Sequence, residues 1–210
     1  MDWFWDDNSN TYHQGVASAI TKVLEFNNLV VLRDTFTDRA MLQSDRLITS
    51  LMVNGDIKIQ QWEREMRDLI RQTYRAMYEL AVGGRENMTQ ADYGRLGGML
   101  QEQYRYLHNF AADLADGKLT LAQAQNRARM YIESSTQAFE RAQAANYGIT
   151  LPQYPGDGTT QCRANCRCHW EIKSRKKEWA CYWRLGQAEH CPDCLEAKSL
   201  YNPYIILKGG

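Results

Sequence analysis

Cys162, Cys166 and Cys168 fall within seven residues, and roughly twenty residues later Cys191-Pro192-Asp193-Cys194 supplies a second close set. Thiolates are soft anionic donors, and two short-spaced pairs can place four of them at the corners of a tetrahedral zinc ion. All six cysteines lie between Cys162 and Cys194, with none in the preceding 161 residues. Thiols used only for packing would be scattered through a core. The partner of the Cys191/Cys194 pair is either Cys162 with Cys166 or Cys166 with Cys168, so five cysteines are candidate ligands. His169 and His190 each adjoin a cysteine and can substitute for one ligand. Cys181, between Ala180 and Tyr182, reads as a small apolar residue. Reduced thiols, disulfides formed on oxidation, or iron–sulfur ligation are the alternatives. Four protein ligands leave no position for water, so the zinc expected here is structural rather than catalytic.

Other chemistry is sparse. The sequence has no Gly-rich phosphate loop, no His-Glu-x-x-His and no nucleophile elbow, so no enzyme is expected. His108, between Leu107 and Asn109, reads as structural. Lys173, Arg175, Lys176 and Lys177 lie between the cysteine sets. They read as a solvated loop, with DNA contact as the alternative, because clustered Lys/Arg release counterions from phosphates. Trp170, Trp179 and Trp183 read as a small core around the metal, with base stacking as the rival.

The elements that must position these residues are mainly α. Apolar residues from Ile59 through Trp62, Met66, Leu69, Ile70, Met77 and Tyr78 have helical spacing up to Gly83-Gly84. Thr89 with Asp92 opens a second helix that runs to Asp116-Gly117. Thr120 with Gln123 forms a capping box for a third, which closes near Gly148. Short connections predict antiparallel packing. Gly97-Gly98 inside the second helix suggests either close approach by a neighbour or a locally weak spot. Residues 12–54 are mixed: Val16 to Leu24 have helical spacing, Leu29–Leu32 reads as strand or helix, and Met41 to Met52 reads as helix. Pro152, Pro155 and Gly156-Asp157-Gly158 make a linker. Three regions follow: 1–54, an aromatic tail and mixed helical segment; 55–149, a three-helix body; and 150–210, a Cys-rich, aromatic-rich module stabilised by zinc.

The 210 residues carry no net charge at pH 7 and are 44% hydrophobic, so a core is available and the whole molecule is no polyanion trap. The charge is uneven: residues 160–187 hold seven Arg/Lys against Glu171 and Glu178. The acidic, aromatic start with Trp3, Phe4 and Trp5 lacks the features of a secretory signal, and it reads as a docked tail or a partner anchor. Leu29–Leu32 is the longest aliphatic run, far short of a membrane span. A reducing cytoplasm is the expected place of synthesis, where clustered thiols favour metal.

Asp157-Gly158-Thr159-Thr160-Gln161-Cys162 followed by Asn165-Cys166-Arg167-Cys168 resembles the C-terminal signature of the minor head, or head-morphogenesis, proteins of tailed bacteriophages of the phage Mu type. Gly55-Asp56-Ile57 with Trp62, Gly83-Gly84, Met88-Thr89 before Tyr93-Gly94 and Gly97, Gln103 to Leu107 and Met130-Tyr131-Ile132 fit the same resemblance, which covers roughly residues 50–206. In that family's pattern a Cys-x-x-Cys pair precedes the Cys-Arg-Cys, whereas here Cys191 and Cys194 follow it. The resemblance favours Cys166, Cys168, Cys191 and Cys194 as ligands, with Cys162 as the rival. It implies a virion protein in the head or neck that contacts the portal and other capsid or neck proteins during assembly. A related expectation is a connector subunit forming a ring homo-oligomer on the portal.

Overall fold

The computed structural model describes residues 3–6, 11–14, 26–187 and 189–209, with side chains from residue 29 onward. Residues 15–25, which contain the Val16–Leu24 pattern, lie outside the described residues. Near the start, β1 (Trp3–Asp6) and β2 (Thr11–Gln14) pair antiparallel. Helix α1 spans Phe26–Thr49, so Leu29–Leu32 is helix. It buries Phe36, Ala40 and Ile48 at helical spacing and ends in a π turn, Ser50–Asn54. Gly55, at φ 69°, stops that turn in a left-handed conformation that favours glycine.

Helix α2 (Ile59–Val82) follows, and its buried face carries Trp62, Met66, Leu69, Ile70, Tyr74, Met77 and Tyr78. Gly83, at φ 83°, caps its C-terminus. Helix α3 (Gln90–Ala115) begins at a complete capping box, Thr89 with Asp92, and α4 (Leu121–Glu133) at another, Thr120 with Gln123. Each box satisfies amides that a helix start leaves unpaired.

The expected third helix is two. The chain breaks at Ser134-Ser135 and resumes as α5 (Thr136–Asn146). The Ser134 hydroxyl donates to the Tyr131 carbonyl and pairs with the Tyr74 hydroxyl, and Ser135 donates to the Ile132 carbonyl. Serine hydroxyls that take backbone carbonyls compete with helical continuation. Across the break the amides bond three residues back instead of four, as Ala138 does to Ser135.

Helices α2 and α3 run antiparallel, as their end-to-end contacts require. Trp62 at the start of α2 meets Phe110 near the end of α3 edge-on at 5.1 Å, while Tyr78 at the other end of α2 donates to Asp92. Phe110 also stacks on Tyr131 of α4 at 5.9 Å. Helix α1 shares this core with α2 to α5.

A second core lies C-terminal. Strands β3 (His169–Ser174), β4 (Glu178–Arg184) and β5 (Tyr204–Leu207) form an antiparallel sheet in the order β3-β4-β5, with helix α6 (Pro192–Leu200) between β4 and β5. Trp170 and Trp183 meet edge-on at 5.3 Å, with Ile172, Cys181, Ala144 and Leu151 in the same cluster. No helix among the described residues is long and apolar enough to cross a membrane.

Candidate metal centre

Three local structures deliver five sulfurs to one place. The first is the loop after α5, organised by Asp157: one carboxylate oxygen accepts from the Tyr154 amide, the other from the amide and hydroxyl of Thr159. Gly156 passes Thr136 so closely that a Cβ there would lie 2.8 Å from its hydroxyl oxygen. Two consecutive turns then present Cys162 and Cys166, closed by the Arg163 amide on the Thr160 carbonyl and the Asn165 amide on the Cys162 carbonyl. The second is the entry to β3, which carries Cys168. The third is the start of α6, where Cys191 is the N-cap, Pro192 opens the helix, and the Cys194 amide bonds the Cys191 carbonyl. Asp193 joins the first structure to the third by accepting from the Gln161 amide at 2.8 Å.

The Cys162 sulfur lies 3.6 Å from that of Cys194 and 3.6 Å from that of Cys191, and the Cys166 and Cys194 sulfurs are 3.7 Å apart. A disulfide needs about 2.05 Å, so these thiols are unbonded. Four sulfurs around one ion with bonds of about 2.3 Å are separated by about 3.8 Å, and the observed spacings match that edge. Cys162, Cys191 and Cys194 form one group of mutually close sulfurs; Cys166, Cys168 and Cys194 form another. All five candidate cysteines are thus together and can hold a metal ion. Cys166, Cys168 and Cys194 are buried, while Cys162 and Cys191 are half-buried.

The thiols perturb one another. A hydrogen bond from Cys166 holds the Cys168 thiol down, to about 5, against burial. The same hydrogen bond pushes the Cys166 thiol up, with burial adding to it. Burial, the Cys168 charge and its sulfur neighbours also raise Cys194. Burial would raise Cys191 too, but hydrogen bonds from Cys194 and Cys162 bring it below its ordinary value. Closely packed thiols shift one another in opposite directions, and a bound cation would favour the thiolate form of all of them.

A buried bracket ties this cluster to the helical body. Arg33 of α1, wholly enclosed, donates to Glu140 of α5 at 2.8 Å, to the Cys168 carbonyl at 3.2 Å and to the Arg167 carbonyl at 3.0 Å. The second Glu140 oxygen accepts from the Trp170 amide at 2.9 Å. Arg167 in turn reaches Asp38 of α1 at 2.6 Å. Sequence reasoning missed Arg33 and Glu140. The available signal was a charge at helical spacing from buried apolar residues, Arg33 with Phe36 and Glu140 with Ala144.

Other candidates separate from the cluster. Cys181 is fully buried in the sheet, its thiol pushed up to about 11 by burial, and it packs as an apolar residue. Neither His169 nor His190 joins the close groups of ligand atoms among the described residues. Burial and the Arg33 charge hold His169 down, to about 4. His108 is exposed and meets Glu63 of α2 at 3.1 Å. In the β3–β4 hairpin Lys173 pairs with Glu171 and Arg175 with Glu178, while Lys176 and Lys177 are exposed at the turn. Trp170 and Trp183 are wholly buried, so base stacking is not available to them. No family model matches the chain, and no curated protein or solved structure proves similar to it.

Proposed function

We propose that the chain is a structural protein of a tailed-phage virion, a minor head or head-morphogenesis factor that acts at the portal vertex and carries structural zinc. The observation that carries this reading is the use made of the segment from Asp157 to Cys168. Its aspartate orders the loop, its cysteines enter the sulfur cluster, and its last carbonyls are clamped by Arg33. The motif on which the phage resemblance rests is therefore spent on locking the chain's C-terminal module to a helical body. That is the work of an assembly part rather than of a reaction centre. Zinc suits an all-thiolate cluster, and structural zinc of this kind contributes on the order of 10 kcal/mol of apparent binding energy.

The test is co-sedimentation of the zinc-loaded chain with portal rings of its parent phage, followed by quantitation in purified capsids. Binding to the rings and recovery in heads at fewer copies than the major capsid subunit are expected. A chain absent from purified particles overturns the reading. A ring of the chain alone, seated on the portal, replaces it with the connector reading.

A further inference from the structure

We infer that the cluster holds two metal ions bridged by the Cys194 thiolate, an inference that rests on the metal reading above. The five sulfurs do not form one mutually close quartet. They form two triads, Cys162/Cys191/Cys194 and Cys166/Cys168/Cys194, which meet at a single shared vertex. One tetrahedral ion needs four sulfurs all about 3.8 Å apart. Cys162 and Cys191 belong to one side of Cys194, and Cys166 and Cys168 to the other. A single ion would therefore use one triad and leave two thiols of the other beside it.

Each triad by itself is a serviceable face. Two edges of the first triad are 3.6 Å and one edge of the second is 3.7 Å; an equilateral triangle of that size has corners about 2.1 Å from its centre, so an ion with bonds of about 2.3 Å would sit just above the plane with a fourth position open. On the Cys162/Cys191 side both sulfurs are half-buried, and water can fill that position. On the Cys166/Cys168 side all three sulfurs are buried and no histidine joins them within ligand distance among the described residues, so the second ion would be held by the three thiolates. Cys194 is 1% exposed and lies 3.6 Å from Cys162 and 3.7 Å from Cys166, which is the place of a bridging thiolate.

Charge points the same way. Five thiolates around two divalent ions leave one net negative charge, and no thiol of the cluster is left without an ion. Burying uncompensated charge is costly. Soft thiolates select thiophilic ions such as zinc, so the probes are Zn²⁺ and Cd²⁺.

Native mass spectrometry of the whole chain, loaded with Zn²⁺ under reducing conditions, is expected to give two ions per chain. Cys191→Ser and Cys168→Ser should each fall from two to one, and Cys194→Ser should retain no tightly held ion. Should a variant fail to fold, the unmodified chain loaded with ¹¹³Cd²⁺ gives two cadmium resonances of thiolate type. One zinc and one cadmium resonance per chain overturn the two-ion proposal and leave the single structural site standing. A chain that binds neither ion overturns both.

Discussion

Two buried or nearly buried carboxylates sit in opposite environments, and each gives stability a pH dependence of opposite sign. Asp92 accepts from the amide and hydroxyl of Thr89 and from Arg95, and these bonds outweigh burial and hold its carboxyl at about 2, below its ordinary value. Its contribution is complete above the unfolded value and is lost as pH falls toward 2. Asp92→Asn should therefore cost about 2 kcal/mol at pH 7 and little at pH 2, as read by denaturant unfolding. Burial pushes Glu140 up to about 7, against Arg33 and the Trp170 amide. The unfolded chain loses that proton near the ordinary carboxylate range, so the contribution of Glu140 is greatest at low pH and decays as pH rises toward 7. Glu140→Gln keeps a neutral acceptor in place of the protonated acid, and any deficit of the variant against the native chain in denaturant unfolding should shrink as pH rises between roughly 4.5 and 7. A deficit that grows over that window contradicts this assignment.

At the scale of elements, Gly97 and Gly98 are the informative positions. A Cβ at either meets nothing within 4 Å, so among the described residues no neighbour requires the glycines. Gly97→Ala and Gly98→Ala should each raise stability by about 0.5–1 kcal/mol in thermal unfolding. A loss would mean that another molecule occupies this face of α3. The helices that follow Ile59 were legible in the sequence because periodicity and capping are local signals; Thr89/Asp92 and Thr120/Gln123 form the boxes that their spacing implies. The break at Ser134-Ser135 was not legible, because it depends on which carbonyls the hydroxyls take and on Tyr74, sixty residues earlier. The sheet was also missed. Trp170 and Ile172 alternate with polar residues, but that short signal was hidden among cysteines and aromatics. Of the metal cluster, all five sulfurs were readable from spacing, whereas their division into two triads around Cys194 depends on turns that spacing does not encode.

At the scale of the whole molecule, the described residues form two apolar cores, one within the helices and one around Trp170 and Trp183, joined through the Arg33–Glu140 bracket and the end of α5. A fifty-residue module buries little surface, and a metal held by its cysteines would add to its stability. Removing metal with a strong chelator should speed hydrogen exchange across β3, β4 and α6 by orders of magnitude while α2 and α3 keep their protection. Equal loss of protection in both cores would show instead that the bracket makes them one cooperative unit. Lys176 and Lys177 are exposed at the hairpin turn. If that turn binds DNA, replacing both by alanine should flatten the dependence of binding on salt.

The bracket also sets an order of events during synthesis. Arg33 emerges from the ribosome early, yet one of the carbonyls that it grips belongs to Cys168, 135 residues later. At roughly 5–20 residues per second, that interval lasts on the order of ten seconds. Over that time the Arg33 guanidinium lacks Glu140 and the Arg167 and Cys168 carbonyls, so the α1 turn around it is held only by its apolar face and the neighbouring Asp34. The first helix is therefore among the last to be secured, and a nascent chain stalled before residue 140 should leave it open to protease.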